Sequence, residues 1–138
     1  MANVIYANFK KLALSSAINF NTDTIKVALV TSAFTPNATT QNYYSDVTNE
    51  VSGAGYTTGG TTIAGGTVTL SVSTAVYSGS NVTWGTSTIT SRAAVLYKST
   101  GTASNSPLVA YIDFTTDQIS SSGDFTIQWN ANGIINLA

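Results

Sequence analysis

Apolar positions in this chain recur with two different periods, and the change from one to the other divides it into unequal parts. At the N-terminus Ile5, Phe9 and Leu12 stand at i, i+4 and i+7, and Ser16 extends the stripe. Asn8, Lys11 and Ser15 fall on other faces, so the spacing predicts a helical segment within residues 1–20, with Asn3 able to cap its start. Such a helix would pack on one face or end of a sheet. From Asn21 onward the period becomes two. In Thr24–Val30, Ile25, Val27 and Leu29 share one face while Lys26 and Ala28 point the other way, as a strand with one buried face requires.

The alternation then returns in pieces. Val68–Val76 reads as one strand, with Val68, Leu70 and Val72 inward and Thr69, Ser71 and Ser73 outward. Asn81–Trp84 and Ser87–Thr90 read as short strands on either side of Gly85. Arg92–Lys98 is apolar on both faces and belongs in the middle of a sheet. Leu108–Phe114 and Asp124–Trp129 are the last strong strands, joined by a turn at Ser120–Gly123, and Gly133–Leu137 closes the chain.

A long stretch from Thr31 to Glu50 turns at Pro36 and Asn37, and a loop of that length is functional or folded against its own side chains. Seven or eight short strands with turn residues between them predict a mainly β protein. The expected architecture is a single antiparallel β-sandwich domain over residues 1–138 with one N-terminal α-helix; jelly-roll and immunoglobulin-like connectivities both stay open.

Composition narrows the function classes. Charged residues make up 8% of the chain, against about 25% in an ordinary soluble domain. The basic residues are Lys10, Lys11, Lys26, Arg92 and Lys98, and only the first two are adjacent, which leaves no basic patch for a phosphate backbone. Solubility must come from hydroxyls and amides. Such a surface repels its neighbours weakly and suits packing against copies of itself or a scaffold, although Thr-rich β-domains are also common among secreted proteins. No apolar run approaches the ~20 residues that cross a bilayer. The apolar part of residues 10–18 is short and broken by two serines, so no signal peptide is expected and the chain is expected to be made in the cytoplasm.

Candidate chemistry is sparse. The chain has no His, no Cys and one Met, which removes the usual imidazole and thiolate groups. Its acids (Asp23, Asp46, Glu50, Asp113, Asp117 and Asp124) fall at strand ends and turns and form no evident pair across a cleft. Asp113 with Asp117 comes nearest to a calcium cluster but lacks the repeated Asp spacing. No catalytic, metal or cofactor site is expected. Trp84 and Trp129 are in phase with apolar strand residues and read as core. Tyr43, Tyr44 and Tyr56 lie in loops, where rigid aromatic area favours an interface.

Six of the eleven glycines lie between Gly53 and Gly66. They fit turns and bulges that need positive φ. They also fit a loop in close contact with a partner, in which Gly59 and Gly60 would join the three tyrosines. A phosphate cradle would need a Gly-Lys-Ser/Thr ending that is missing.

Taken in order, DTIKVALV, EVSGAGYTTGG, LYKSTGT and GDFTIQW with its GII ending resemble a family of small β-rich virion proteins encoded among the structural genes of tailed bacteriophages. The likeness spans nearly the whole chain. It implies a non-enzymatic cement or decoration protein on the outer capsid surface, with the major capsid protein and further copies of itself (as dimer or trimer) for partners. It carries over no catalytic or metal residue. The rival readings are a tail-tip or fibre-associated protein that binds a receptor, a cellular adhesin or carbohydrate-binding module, and an enzyme.

Overall fold

The computed structural model describes residues 3–138 and is mainly β, with 46% strand and 10% helix. Two antiparallel sheets form a sandwich-like fold. The larger has the order β1 (Val4–Ile5), β7 (Leu108–Ile127), β6 (Val82–Lys98), β2 (Ile25–Val30), β3 (Thr61–Thr62). The smaller has the order β4 (Thr67–Ser71), β5 (Thr74–Ser78), β8 (Ile135–Leu137). This arrangement matches neither the immunoglobulin order nor a jelly roll of two Greek keys.

The helix is shorter than the spacing predicts. α1 covers Ala7–Leu14 and starts after Tyr6, not at Asn3; residues 1 and 2 of the expected helical segment lie outside the described residues. The side-chain carbonyl of Asn3 instead accepts the Asp113 N–H at 2.8 Å, and Val4 and Ile5 pair with Tyr111 and Ala110 on β7. That pairing commits the start of the stripe to the sheet edge and leaves Ile5 38% exposed. Phe9 keeps its predicted place in the core and packs on Phe20, which stacks on Tyr77 of the second sheet.

β2 differs from the one-faced strand expected. Ala28 and Val30 are as fully buried as Val27 and Leu29, because β2 is an inner strand with side chains packed on both faces. Its partner segment Ala93–Tyr97 is buried on both faces, as the double-sided apolar pattern predicts.

The largest departure is the joining of predicted pieces. Asn81–Trp84, Ser87–Thr90 and Arg92–Lys98 merge, from Val82 on, into the single strand β6, and Leu108–Phe114 and Asp124–Trp129 merge, as far as Ile127, into β7. The Gly85 break and the Ser120–Gly123 turn are register shifts inside a paired ribbon, with Thr86 at φ 48° and Ser122 at φ 50°. A further irregularity sets Arg92 alone against Phe114–Asp117, with Thr115 at φ 70°. These bends fold β7 back far enough to bring the Phe114 and Phe125 rings within 6.4 Å. A straight strand would hold them over ~30 Å apart. Trp84 is buried in the resulting concavity, edge-on to Phe125, whereas Trp129 is only half-buried and donates through Nε1 to the Ser80 carbonyl at 2.8 Å.

Bending frees backbone groups, and buried serines take them up. Ser87 Oγ reaches the carbonyls of Trp84 and Gly123 at 3.0 Å each and Ser120 Oγ at 2.8 Å. Ser120 Oγ accepts the Ile89 N–H at 3.1 Å. Ser91 Oγ lies 3.1 Å from the Val30 carbonyl and 3.0 Å from that of Ala93.

Val68–Val76, expected as one strand, is a hairpin. The chain reverses at Val72 and Ser73, so that Thr67–Ser71 and Thr74–Ser78 satisfy each other's backbone. Val72 sits at φ 56° and is 96% exposed, and Leu70 is 75% exposed, so neither faces the core. A β-branched residue in the left-handed region costs about 1–2 kcal/mol. Val72→Gly should therefore raise stability by about 1 kcal/mol and the melting temperature by about 3 °C. Differential scanning calorimetry checks this; an unchanged or lower melting temperature would show that the turn is unstrained.

Candidate functional site

The residues expected at an interface converge, for the most part, on a carboxylate that the sequence reading passed over. Glu50 ends the long Thr31–Glu50 segment and is half-buried. Its Oε1 accepts the Tyr56 hydroxyl at 2.5 Å and the Gly59 N–H at 2.7 Å, and its Oε2 accepts the Tyr44 hydroxyl. Tyr56 Oη in turn accepts the Leu29 N–H of β2 at 3.0 Å. Tyr97 of β6 donates to the Gly59 carbonyl at 2.6 Å, and its ring stacks on Tyr44 at 4.4 Å and 14°. One carboxylate thus ties two loops to β2 and β6, two inner strands of the larger sheet.

Local sequence places each part. Tyr44 opens a single 3₁₀ turn, Tyr44–Asp46, whose Asp46 carboxylate accepts the N–H groups of Asn42 at 2.8 Å and Tyr43 at 3.0 Å. The Tyr44 N–H donates to the Ser106 carbonyl at 2.8 Å, which docks the turn on the 99–107 loop. Gly60 has φ 74°, and a Cβ there would overlap the Val27 carbonyl, so only glycine lets the loop lie against β2. Of the five residues expected at an interface, Tyr44, Tyr56, Gly59 and Gly60 therefore belong to the clamp around Glu50. Tyr43 does not; it bridges to Pro107 through the backbone and is half-buried. The one glutamate of the chain, between a tyrosine pair and a Gly-Gly step, was the available signal.

Electrostatics follow from this enclosure. Burial pushes the Tyr56 and Tyr44 hydroxyls far above their ordinary range, and the hydrogen bond each gives to Glu50 raises them further. Tyr97 is pushed up to about 12 by burial and then by the Glu50 charge. All three stay protonated donors at neutral pH, and the charge-assisted bonds that Tyr44 and Tyr56 give to Glu50 are about twice as strong as neutral ones. The arrangement clamps.

The other acids are mostly held internally as well. Asp113 pairs with Arg92 at 2.9 Å and Asp23 with Lys98 at 3.2 Å. Asp117 is exposed, and among the described residues no group of three or more His, Cys, Asp or Glu converges as a metal site would require. Two surface depressions remain near these elements. One of about 220 Å³ lies beside the clamp between Lys26, Tyr44, Tyr97 and Ser106. The other, of about 440 Å³, lies in the bend of β7 between Phe114, Gln118, Ile119 and Asp124.

Removing one hydroxyl separates the roles in the clamp. Tyr56→Phe leaves the buried Leu29 N–H without its partner and Glu50 Oε1 with the Gly59 N–H alone, and should cost about 2–4 kcal/mol in urea unfolding. Tyr44→Phe should cost about 1 kcal/mol, since water can reach a half-buried carboxylate. Equal losses would refute the bridging role of Tyr56. The raised tyrosine values also set an alkaline limit: stability they contribute is fully present below the unfolded value near 10 and is lost as pH rises through the folded values, about 12 for Tyr97. Tyrosinate absorbance should accordingly rise in one step with loss of circular dichroism above pH ~10, and a gradual titration of an intact fold would contradict this.

Comparison with known proteins adds no relative to this geometry: no family model matches the chain, and no significant match is found among curated proteins or solved structures.

Proposed function

We propose that this chain is a non-enzymatic virion structural protein of a tailed bacteriophage, a cement or decoration protein that bridges major capsid protein subunits on the outer capsid surface. The observation that carries the reading is the second sheet. One of its faces is mostly polar, with Thr69, Ser71, Thr74, Ser78 and Asn136 around Val76 along a shallow depression of about 450 Å³. The other face extends the core outward to exposed Leu70 and Leu137. No charged residue stands between Glu50 and Arg92, or after Asp124, so the whole of this sheet is uncharged. The resemblance of the ordered motifs to phage virion proteins supports the same reading.

The mechanism is linkage. A protein that binds only the assembled, expanded lattice adds its binding free energy to that state alone. Repetition over the lattice then turns individually weak contacts into near-permanent attachment. A hydroxyl-rich, uncharged surface forms hydrogen bonds across subunit joints without repulsion between crowded copies.

One observation favours the tail-tip or fibre alternative: the depression in the bend of β7 sets Gln118, Asp124 and Gln128 beside Phe114 and exposed Ile119, a mixture that suits a small polar receptor group. Quantitative mass spectrometry of purified virions separates the readings. Parity or a simple fraction relative to the major capsid protein is expected, on the order of hundreds of copies from icosahedral repetition. A dozen copies would move the protein to the tail, and absence from particles would end both virion readings.

A further inference from the structure

We infer that β4 is a pairing edge for β4 of a second copy of this chain, joining two three-stranded sheets into one six-stranded sheet across a two-fold axis. Among the described residues β4 pairs only with β5, so its other edge is open. The Val68 N–H points to that edge, where it donates to the exposed Asn21 side chain at a long 3.3 Å. With a period of two, the Leu70 backbone groups face the same way. Edge strands are normally blunted by Lys, Pro or a bulge. Thr67–Ser71 (TVTLS) has none of these, and its five residues pair with β5 in unbroken register.

The occupant follows from self-complementarity. Pairing centred on Thr69 sets Val68 against the partner's Leu70 and Leu70 against the partner's Val68, each pair exchanging both backbone bonds. Four hydrogen bonds would form, replacing the single Asn21 contact in each copy. Because paired residues share a face, the apolar row Val68, Leu70, Ala75 and Leu137 would continue across the junction, and the two Thr69 side chains would meet on the polar face. No charge lies on this sheet, so the two-fold brings no like charges together. A charged partner would instead be desolvated against a surface with no counter-charge. The assignment stands apart from the virion reading and concerns the purified chain alone.

Sedimentation velocity at about 100 µM should show a dimer, since that concentration lies far above a micromolar Kd. Leu70→Lys places two ammonium groups at the junction and should give a monomer with unchanged circular dichroism, as Leu70 is largely exposed. Leu14→Lys, at an apolar side chain 91% exposed on α1, should leave the dimer intact. The chain has no cysteine, so Thr69→Cys reports geometry directly. Directly opposed residues of a non-hydrogen-bonded pair have Cα atoms about 4.5 Å apart, within disulfide reach. Thr69→Cys should cross-link on oxidation, and Val76→Cys, one strand further in, should not. A monomeric wild type would overturn the inference and leave the edge to a strand of a different protein. A dimer that survives Leu70→Lys, or that fails to cross-link through Thr69→Cys, would overturn it too and place the contact elsewhere.

Discussion

A long β-ribbon can fold over itself only if the backbone groups released at its bends find partners, and the β6–β7 ribbon lives under that constraint. Among the described residues its outer half has no third strand: β2 pairs with Ala93–Lys98 of β6, and β1 reaches only Ala110 and Tyr111 of β7. Curvature must come from register shifts, and each shift opens polar groups in a dry interior. Ser87, Ser91 and Ser120 answer this with hydroxyls small enough to sit among Trp84, Ile89 and Phe125 without opening a void. An alanine at Ser87 would keep the volume and lose the bonds to two carbonyls, which is why a hydroxyl residue occupies a fully buried site.

The same economy governs charge. With few ionisable residues available, the chain places Glu50 among two tyrosine hydroxyls and an amide, Asp113 beside Arg92, and Asp23 beside Lys98. These groups fasten loops and strand ends to the larger sheet. The second sheet receives none, and its tie to the core is aromatic and aliphatic: Tyr77 stacked on Phe20, with Ile135 buried beside it. Fold-holding charge and the uncharged outer sheet therefore occupy different parts of the molecule, which frees the latter for contacts governed by shape and hydrogen bonding.

How much of this was legible in the sequence depends on what alternation can encode. The mainly β class, the buried run Ala93–Tyr97 and the core place of Phe9 and Trp84 follow from pattern alone. The Val72–Ser73 reversal does not, because Val76 continues the sequence alternation of Val68, Leu70 and Val72, while the two-residue turn switches the face: Leu70 lies with Ala75, Val68 with Tyr77, and Val76 opposite Thr69. Gly85 and Ser120–Gly123 misled for the opposite reason, since residues that favour turns also favour bulges, and only a bulge compensated on the partner strand keeps a ribbon paired. The candidate site was half visible. Tyr44, Tyr56, Gly59 and Gly60 stood out as loop residues of unusual type, but their common centre at Glu50 depends on loop packing that no local spacing reveals.

An open β4 edge and a low surface charge would together be an aggregation hazard if pairing could propagate. Two-fold pairing is self-limiting. Once β4 meets its mate, each copy has used that edge, and what remains at the far side of the sheet is β8, three residues long. A further open edge, along β7, is bent at Thr115 and Ser122 and carries the exposed Asp117 and Asp124. Bends and charges of this kind discourage a flat incoming strand. The chain thus guards the edge it leaves long, and leaves unguarded the edge whose pairing closes on itself.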